Sequence, residues 1–200
     1  NQALKFAVVT GCLKIAKESI FTGTNNFVSE TILSSRLSEC FGFVQCEVNQ
    51  ILADAGIEGK AEMMKKWYDG YHFGSVDVYC PWDVMCYVQK LMTDSNAQPD
   101  NFWKNTSDNA VIRSFIDYAG ASITKKFETL MDGGYIVQKV DENLTYDYLH
   151  SSEENLWSML YLTGYLTHLR DGEIAEALPE DTVALKIPNL EIQELFVTEV

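Results

Sequence analysis

The chain has 200 residues, of which 46% are apolar and 12% aromatic, and its formal net charge is −14 at pH 7. This apolar content is enough for one sizeable core or two small ones, and the aromatic content argues against disorder. No apolar run approaches the roughly 20 residues that a membrane-spanning helix needs.

The negative charge is concentrated in the last third of the chain. Residues 141–200 contain 13 acidic residues and only two basic ones, Arg170 and Lys186, whereas residues 1–140 contain 16 acidic and 13 basic residues. Nucleic-acid backbones are bound by Lys and Arg, so this composition makes the last third a poor candidate for a nucleic-acid surface.

Five cysteines are present, an odd number, and no two of them have CxxC spacing. This usage is typical of reduced, buried cysteines in a cytoplasmic protein rather than of disulfides or a metal site. The five are Cys12, Cys40, Cys46, Cys80 and Cys86.

The chain opens with a pattern that is typical of a late strand in a nucleotide-binding α/β sheet. Residues 5–9 (KFAVV) predict a buried strand, and Thr10 and Gly11 then turn into a polar, basic loop. A strand that is buried on both faces needs neighbouring strands. No phosphate-binding loop of the form GxxxxGK[ST] occurs in the 200 residues, so we expect the chain to be a piece of a larger protein.

Three helices are predicted in the part that follows. Apolar residues recur with helical spacing over residues 45–55 and 60–68, and Pro81 is well placed as the first residue of a helix over 81–91. Between the last two helices, residues 75–77 predict a tight turn that leads into residues 78–80.

The polar segment 93–100 is the best internal boundary, and a second group of elements follows it. Helices are predicted over residues 108–118 and 123–131, and short strands over 135–140 and 144–149.

A capping box at residues 151–154 (SSEE) then opens a helix that ends at Gly164, and we expect its Trp157 and Tyr161 side chains to be buried in the core of their own module. A hairpin of residues 165–169 and 183–187 follows. Helices followed by a two-stranded hairpin predict a winged-helix-like module.

The loop of residues 10–27 is the first candidate for chemistry. Ligands of α/β nucleotide-binding domains lie beyond the carboxyl ends of the strands, where Thr10 could sense a γ-phosphate. Lys14 and Lys17 could then stabilise charge on a transferring phosphoryl group, with Asn25 and Asn26 nearby. The alternative is an exposed basic loop whose asparagines cap turns.

The aromatic segment of residues 68–82 is the second candidate. Aromatic side chains between glycines could form a ligand-stacking surface, or a self-packed bend in which the glycines adopt positive φ. Asp69 and His72 are close enough in sequence to form an acid–base pair, although no nucleophile accompanies them. The residues that we single out as a structural motif are Tyr68, Asp69, Gly70, Tyr71, His72, Phe73, Gly74, Pro81, Trp82, Trp103 and Trp157.

Several of these segments, taken together and in order, resemble the bacterial AAA-ATPase-like family. The residues from Thr10 to Phe21 (TGCLKIAKESIF), with Asn25 and Asn26, are similar to the family's TGxxRxxKxSIFSxLNN segment. The likeness continues through FGF (41–43), WYDGYHFG (67–74), VYCPW (78–82), FWKNTS (102–107), LWSML (156–160), LTGYLT (162–167) and IPNLE (187–191). Lys14 stands where the family usually has Arg, and lysine keeps the charge but lacks the bidentate fork.

The resemblance implies an architecture for a longer parent protein. The phosphate-binding loop and the Mg²⁺-binding acids would precede this segment, and a PD-(D/E)XK nuclease-like domain would follow it. We therefore expect a mainly α fold with short β elements. Residues 1–95 would form the tail of a P-loop ATPase core and a helical lid, and residues 100–200 a truncated winged-helix-like module.

The resemblance also implies the function. The parent would use ATP and Mg²⁺ to control its nuclease-like domain, whereas this chain alone would hold no cofactor or metal and have no activity. Its partners would be the rest of the parent and a further protein, with no membrane and no direct nucleic-acid contact. The alternative is a non-enzymatic, acidic protein-interaction module.

Overall fold

The computed structural model of the protein describes residues 5–11, 28, 30–105, 120–142, 144, 152–174 and 176–199. Within these ranges the fold is a mixture of α-helices and short antiparallel strands. The helices are α1 (Gln45–Asp54), α2 (Ala61–Tyr68), α3 (Pro81–Thr93), α4 (Ala121–Met131), α5 (Glu153–Leu162) and α6 (Leu190–Glu199). The strands are β1 (Tyr71–Phe73), β2 (Val76–Val78), β3 (Ile136–Gln138), β4 (Thr167–His168) and β5 (Val183–Lys186).

The first core is formed by helices α1, α2 and α3. Their buried apolar side chains recur at helical spacing, so each helix turns one face inward. Tyr68 is at its centre and is fully buried, and its hydroxyl donates to the Asp100 carbonyl oxygen at 3.0 Å. This bond ties the polar segment after α3 back onto α2. The buried residues are Val48, Leu52, Met64, Tyr68, Tyr79, Val84, Tyr87, Val88, Leu91 and Ala97.

A tight hairpin, β1–β2, follows α2 in the chain and lies next to β4. Phe73 pairs with Val76 and His72 with Asp77, so the turn consists of Gly74 and Ser75. Gly74 has a φ of 55°, a conformation that glycine adopts without steric cost. The predicted turn over residues 75–77 was therefore misplaced, because Val76 and Asp77 are already paired in the strand.

The second core lies under a three-stranded antiparallel sheet of order β3-β5-β4, covered by helices α4, α5 and α6. Trp157 and Phe196 are fully buried in it, and Phe127 lies between them with ring centroids 5.0 and 5.7 Å away. The predicted burial of Trp157 and Tyr161 is confirmed.

The predicted buried strand over residues 5–9 is wrong. Residues 5–11 form no strand, and Phe6, Val8 and Val9 are 81%, 70% and 70% exposed. An apolar run becomes a buried strand only beside other strands, and none of the described strands lies next to it.

Helix positions were predicted more accurately than helix caps. Each of the helices α1 to α4 begins and ends within about two residues of its predicted bounds. The start of α5 differs, because the Ser152 hydroxyl accepts the Asn155 N–H at 3.2 Å. With Ser152 as the N-cap, Asn155 occupies the N3 position that a capping box reserves for Glu or Gln, and Glu153 instead binds Lys126 at 2.6 Å. The predicted helix over 108–118 and the strand over 145–149 lie outside the described residues.

Two other predictions from composition have structural outcomes. Within the described ranges, no helix is both long and apolar enough to cross a bilayer. Cys40, Cys46, Cys80 and Cys86 are free thiols, but Cys40 and Cys46 are exposed, so the prediction that the cysteines are buried is wrong for these two.

The burial of Trp157 and the exposure of Trp82 predict that their substitutions lower the free energy of unfolding by very different amounts. Trp157→Ala should lower the free energy of unfolding by about 4 kcal/mol, because it leaves a cavity in the second core. Trp82→Ala should change it by less than about 0.5 kcal/mol, because Trp82 is 56% exposed. Urea unfolding of both variants measures the difference. Equal losses would contradict the assignment of Trp157 to a packed core.

Candidate functional site

Short segments from distant parts of the sequence meet where the two cores contact each other, and we call this region the junction. The Asn189 side-chain amide donates to the Asp69 carbonyl oxygen at 3.0 Å. The Asn101 side-chain amide donates to the Glu191 carbonyl oxygen at 2.9 Å. The His72 backbone N–H donates to Thr167 Oγ1 at 2.9 Å. These bonds are made by residues of segments 67–74, 162–167 and 187–191 and by Asn101. The three segments, but not Asn101, also carry the family resemblance, so most of the resemblance at these bonds lies at the junction.

The Gly70 backbone lies close to the Pro188 backbone, which precedes α6. The φ of Gly70 is 106°, and a Cβ atom at this position would lie 2.2 Å from the Pro188 carbonyl oxygen. Because the Pro188 oxygen belongs to the backbone, it cannot move aside by a side-chain rotation. A side chain at residue 70 would therefore push the two backbones apart. Only glycine satisfies both the conformation and the contact.

Two carboxyl groups are fully buried in the junction, Asp83 on α3 and Glu191 on α6. Glu191 Oε1 accepts the backbone N–H groups of Phe102 and Trp103 at 2.6 and 3.1 Å. The Asp83 side chain interacts with those of Cys80, Glu191 and Trp103. These contacts join α3, α6 and the short helix Trp103–Asn105 at one point.

Burial is the largest cause of the raised pKa of both Asp83 and Glu191. Removal from water raises the pKa of Asp83, and burial together with the negative charge of Asp83 raises the pKa of Glu191 to about 8. The same burial raises the pKa of the neighbouring Cys80 thiol to about 12. At pH 7 the two carboxyl groups therefore retain a proton between them.

A cluster of charged side chains crosses the junction beside His72. Asp77 on β2 accepts from both His72 Nδ1 and the Arg170 guanidinium. Glu173 binds Lys186 Nζ at 2.9 Å and lies 3.7 Å from His72 Nε2. Arg170 and Lys186 are the two basic residues of the last third of the chain. Arg170 attaches the acidic loop to the β1–β2 hairpin, and Lys186 attaches the same loop to β5.

A cavity of about 180 Å³ lies between the hairpin and the end of α5. Aromatic side chains contribute to its walls, among them Phe41, Tyr71, Phe73, Trp103 and Tyr161. Trp103 is oriented edge-on to Tyr165 with ring centroids 5.3 Å apart. The aromatic segments of the sequence therefore pack around a shared space rather than forming separate surfaces.

The structure brings together some of the predicted site residues and not others. Thr10 is exposed and lies outside any helix or strand, while Lys14, Lys17, Asn25 and Asn26 lie outside the described residues. Trp82 is exposed, and Trp157 belongs to the second core away from the junction. The motif residues at the junction, its hairpin or its cavity are Asp69, Gly70, Tyr71, His72, Phe73, Gly74, Pro81 and Trp103, and Tyr68 lies in the first core.

The Asp69–His72 acid–base pair that the sequence spacing allowed is not formed, because the histidine ring binds Asp77 instead. In a two-residue hairpin, His72 and Asp77 are directly opposite each other, whereas Asp69 lies before the strand. Across the described ranges, no three His, Cys, Asp or Glu side chains are grouped so that they could hold a metal ion. The contacts of the junction fix the position of the first core relative to the second.

The sequence analysis missed Asp83 and Glu191. A signal for Asp83 was present, because residues 83, 87 and 91 share one face of α3 and the other two are Tyr87 and Leu91. An acid in such an apolar series is buried, and a buried acid needs a partner. Glu191 likewise shares a helix face with Leu195.

Comparison with known proteins gives one relative. A protein of Azotobacter chroococcum mcd 1, described as "Uncharacterized protein in vnfD 5'region", is 24% identical over 196 residues. The match covers 95% of this chain and 33% of that protein, so the chain spans about a third of the relative's length. No protein-family profile and no solved structure matches the chain.

The junction predicts that Gly70 and Gly56 respond differently to the same substitution. Gly70→Ala should lower the free energy of unfolding by about 3 kcal/mol, because backbone strain and the clash with Pro188 add together. Gly56→Ala should cost about 1 kcal/mol, because Gly56 also has a positive φ, 67°, but nothing lies within 4 Å of the added Cβ. Urea unfolding measures both. Similar losses would show that the close approach at Gly70 is unimportant.

Proposed function

We propose that the chain is the C-terminal portion of the ATPase-like region of a cytoplasmic P-loop AAA-ATPase-like protein. The parent would couple ATP binding and hydrolysis, with Mg²⁺, to the control of an attached nuclease-like domain. The observation that carries the proposal is the convergence at the junction of motifs that are far apart in the sequence. WYDGYHFG, VYCPW, FWKNTS, LTGYLT and IPNLE all contribute residues to its contacts or its cavity.

The role that we propose for the junction is mechanical. The close contact at Gly70 and the polar bonds of Asn189 and Glu191 leave little freedom between α6 and the first core. In the parent, a movement that begins in the ATP-binding core would pass through the first core to α6. The nuclease-like domain would follow α6 and receive that movement.

We further propose that the second core is a winged-helix-like module. Support comes from the order of its elements, in which α4 precedes β3, α5 lies between β3 and β4, and β5 returns between them. The loop from β4 to β5 would be the wing. Its charged side chains at Glu176, Glu180 and Asp181 are acidic and exposed, so we propose protein contacts rather than DNA contacts for it.

A second candidate function is a non-enzymatic, acidic interaction module. It is favoured by the engagement of Arg170 and Lys186 in ion pairs with Asp77 and Glu173. With its two basic residues occupied in this way, the last third of the chain presents mainly acidic side chains. Such a surface would attract a basic partner, or a basic face of the parent.

The ATPase proposal predicts that the full-length protein hydrolyses ATP and that Lys14 and Lys17 are needed for turnover. Lys14→Ala or Lys17→Ala should lower kcat by about 100-fold, because a charge that stabilises the transferring phosphoryl group is lost. Steady-state ATP hydrolysis measures this, with circular dichroism to verify folding. The matched control is Lys125→Ala, which removes an exposed lysine of α4 and should leave turnover unchanged.

Two outcomes would contradict the proposal. Rapid ATP hydrolysis by the 200-residue chain alone would show that it contains a phosphate-binding site of its own. A full-length protein that neither contains GxxxxGK[ST] before this segment nor binds ATP would favour the acidic interaction module.

A further inference from the structure

The Asp83 and Glu191 carboxyl groups are unusual because they are buried together without a cation. Both residues are 0% exposed, and in the described part of the chain no Lys or Arg forms an ion pair with either. Glu191 Oε2 also lacks a conventional hydrogen-bond donor there, and only the neutral side chains of Cys80 and Trp103 lie beside the Asp83 carboxyl group as donors. Two ionised carboxylates in such a site would repel each other and would both lack hydration, so a shared proton is the stable arrangement.

We propose that the Asp83–Glu191 pair is a proton-dependent clasp between the two cores. With one proton shared, the pair holds α3 against α6 and fixes the residues that Glu191 binds. When that proton is lost, repulsion between the carboxylates loosens the junction. This inference concerns the chain itself and does not depend on the proposed ATPase function.

The other titratable side chains that face the Asp83–Glu191 pair are not the source of the proposed pH dependence. Tyr68 on α2, Tyr71 on β1, and Cys80 and Cys86 at α3 all interact with one or both acids. Burial raises the pKa of each of these four groups, so all are neutral at pH 7. The exposed lysines on neighbouring elements, Lys66 and Lys104, form no described ion pair with the acids.

The direction of the pH effect follows from proton binding. Burial and the charge of Asp83 raise the pKa of Glu191 from 4.5 to about 8. In the unfolded chain both carboxyls lose their protons near their ordinary values, so between about pH 5 and pH 8 the folded state binds more protons. Stability is therefore greatest on the acid side of this window and falls as the pH rises, by up to about tenfold in the folding equilibrium constant per pH unit.

The test combines an NMR titration with urea unfolding of the whole chain. The backbone amide resonances of Phe102 and Trp103, which bind Glu191, should shift with a midpoint near pH 8. In Asp83→Asn this midpoint should fall by at least about one pH unit, because the negative neighbour is gone and an amide can donate to Glu191. The variant should also lose less stability than the wild type between pH 6 and pH 9.

Two comparisons keep the result interpretable. Asp100→Asn removes a carboxylate that binds Lys90 at 2.9 Å at the edge of the same region, and it should leave the midpoint near pH 8 unchanged. If Asp83→Asn fails to fold, the wild-type titration alone decides. A wild-type midpoint near pH 4, or an unchanged midpoint in folded Asp83→Asn, would overturn the proposal.

Discussion

The close approach of the Gly70 backbone to the Pro188 carbonyl is the constraint on which the rest of the structure depends. It brings the strand that follows α2 against the segment that precedes α6, and the side chains of Asn189 and Glu191 then reach the first core. Each of these polar contacts is worth only about 1 kcal/mol by itself. They are effective because the backbone contact places all of them at once.

The junction also explains why polar and aromatic residues are concentrated in short segments. A joint between two cores must bury backbone groups that belong to no helix or strand, and each needs a partner. Asn101, Asn189 and Glu191 supply those partners, while Trp103 and Tyr71 fill the space around them. In contrast, Arg170 and Lys186 hold the acidic loop by exposed ion pairs that salt weakens.

Helical periodicity was sufficient to predict α1 to α4, because one apolar face on each helix determines which side chains are buried. The same information predicted a buried strand at residues 5–9 wrongly, since an apolar pattern does not show whether neighbouring strands are present. Pairings across the junction were not predictable in the same way. His72 binds Asp77 through hairpin register, and Asp83 meets Glu191 across 108 positions of sequence, so neither contact follows from local spacing.

The central claim is that the junction makes the two cores one cooperative unit. Fluorine NMR of the chain labelled with 5-fluorotryptophan tests it without mutation, because Trp67 packs on the first core and Trp157 lies in the second. The account predicts that the native resonances of both tryptophans disappear at the same urea concentration, as a single two-state transition requires. Separate midpoints for Trp67 and Trp157 would contradict it.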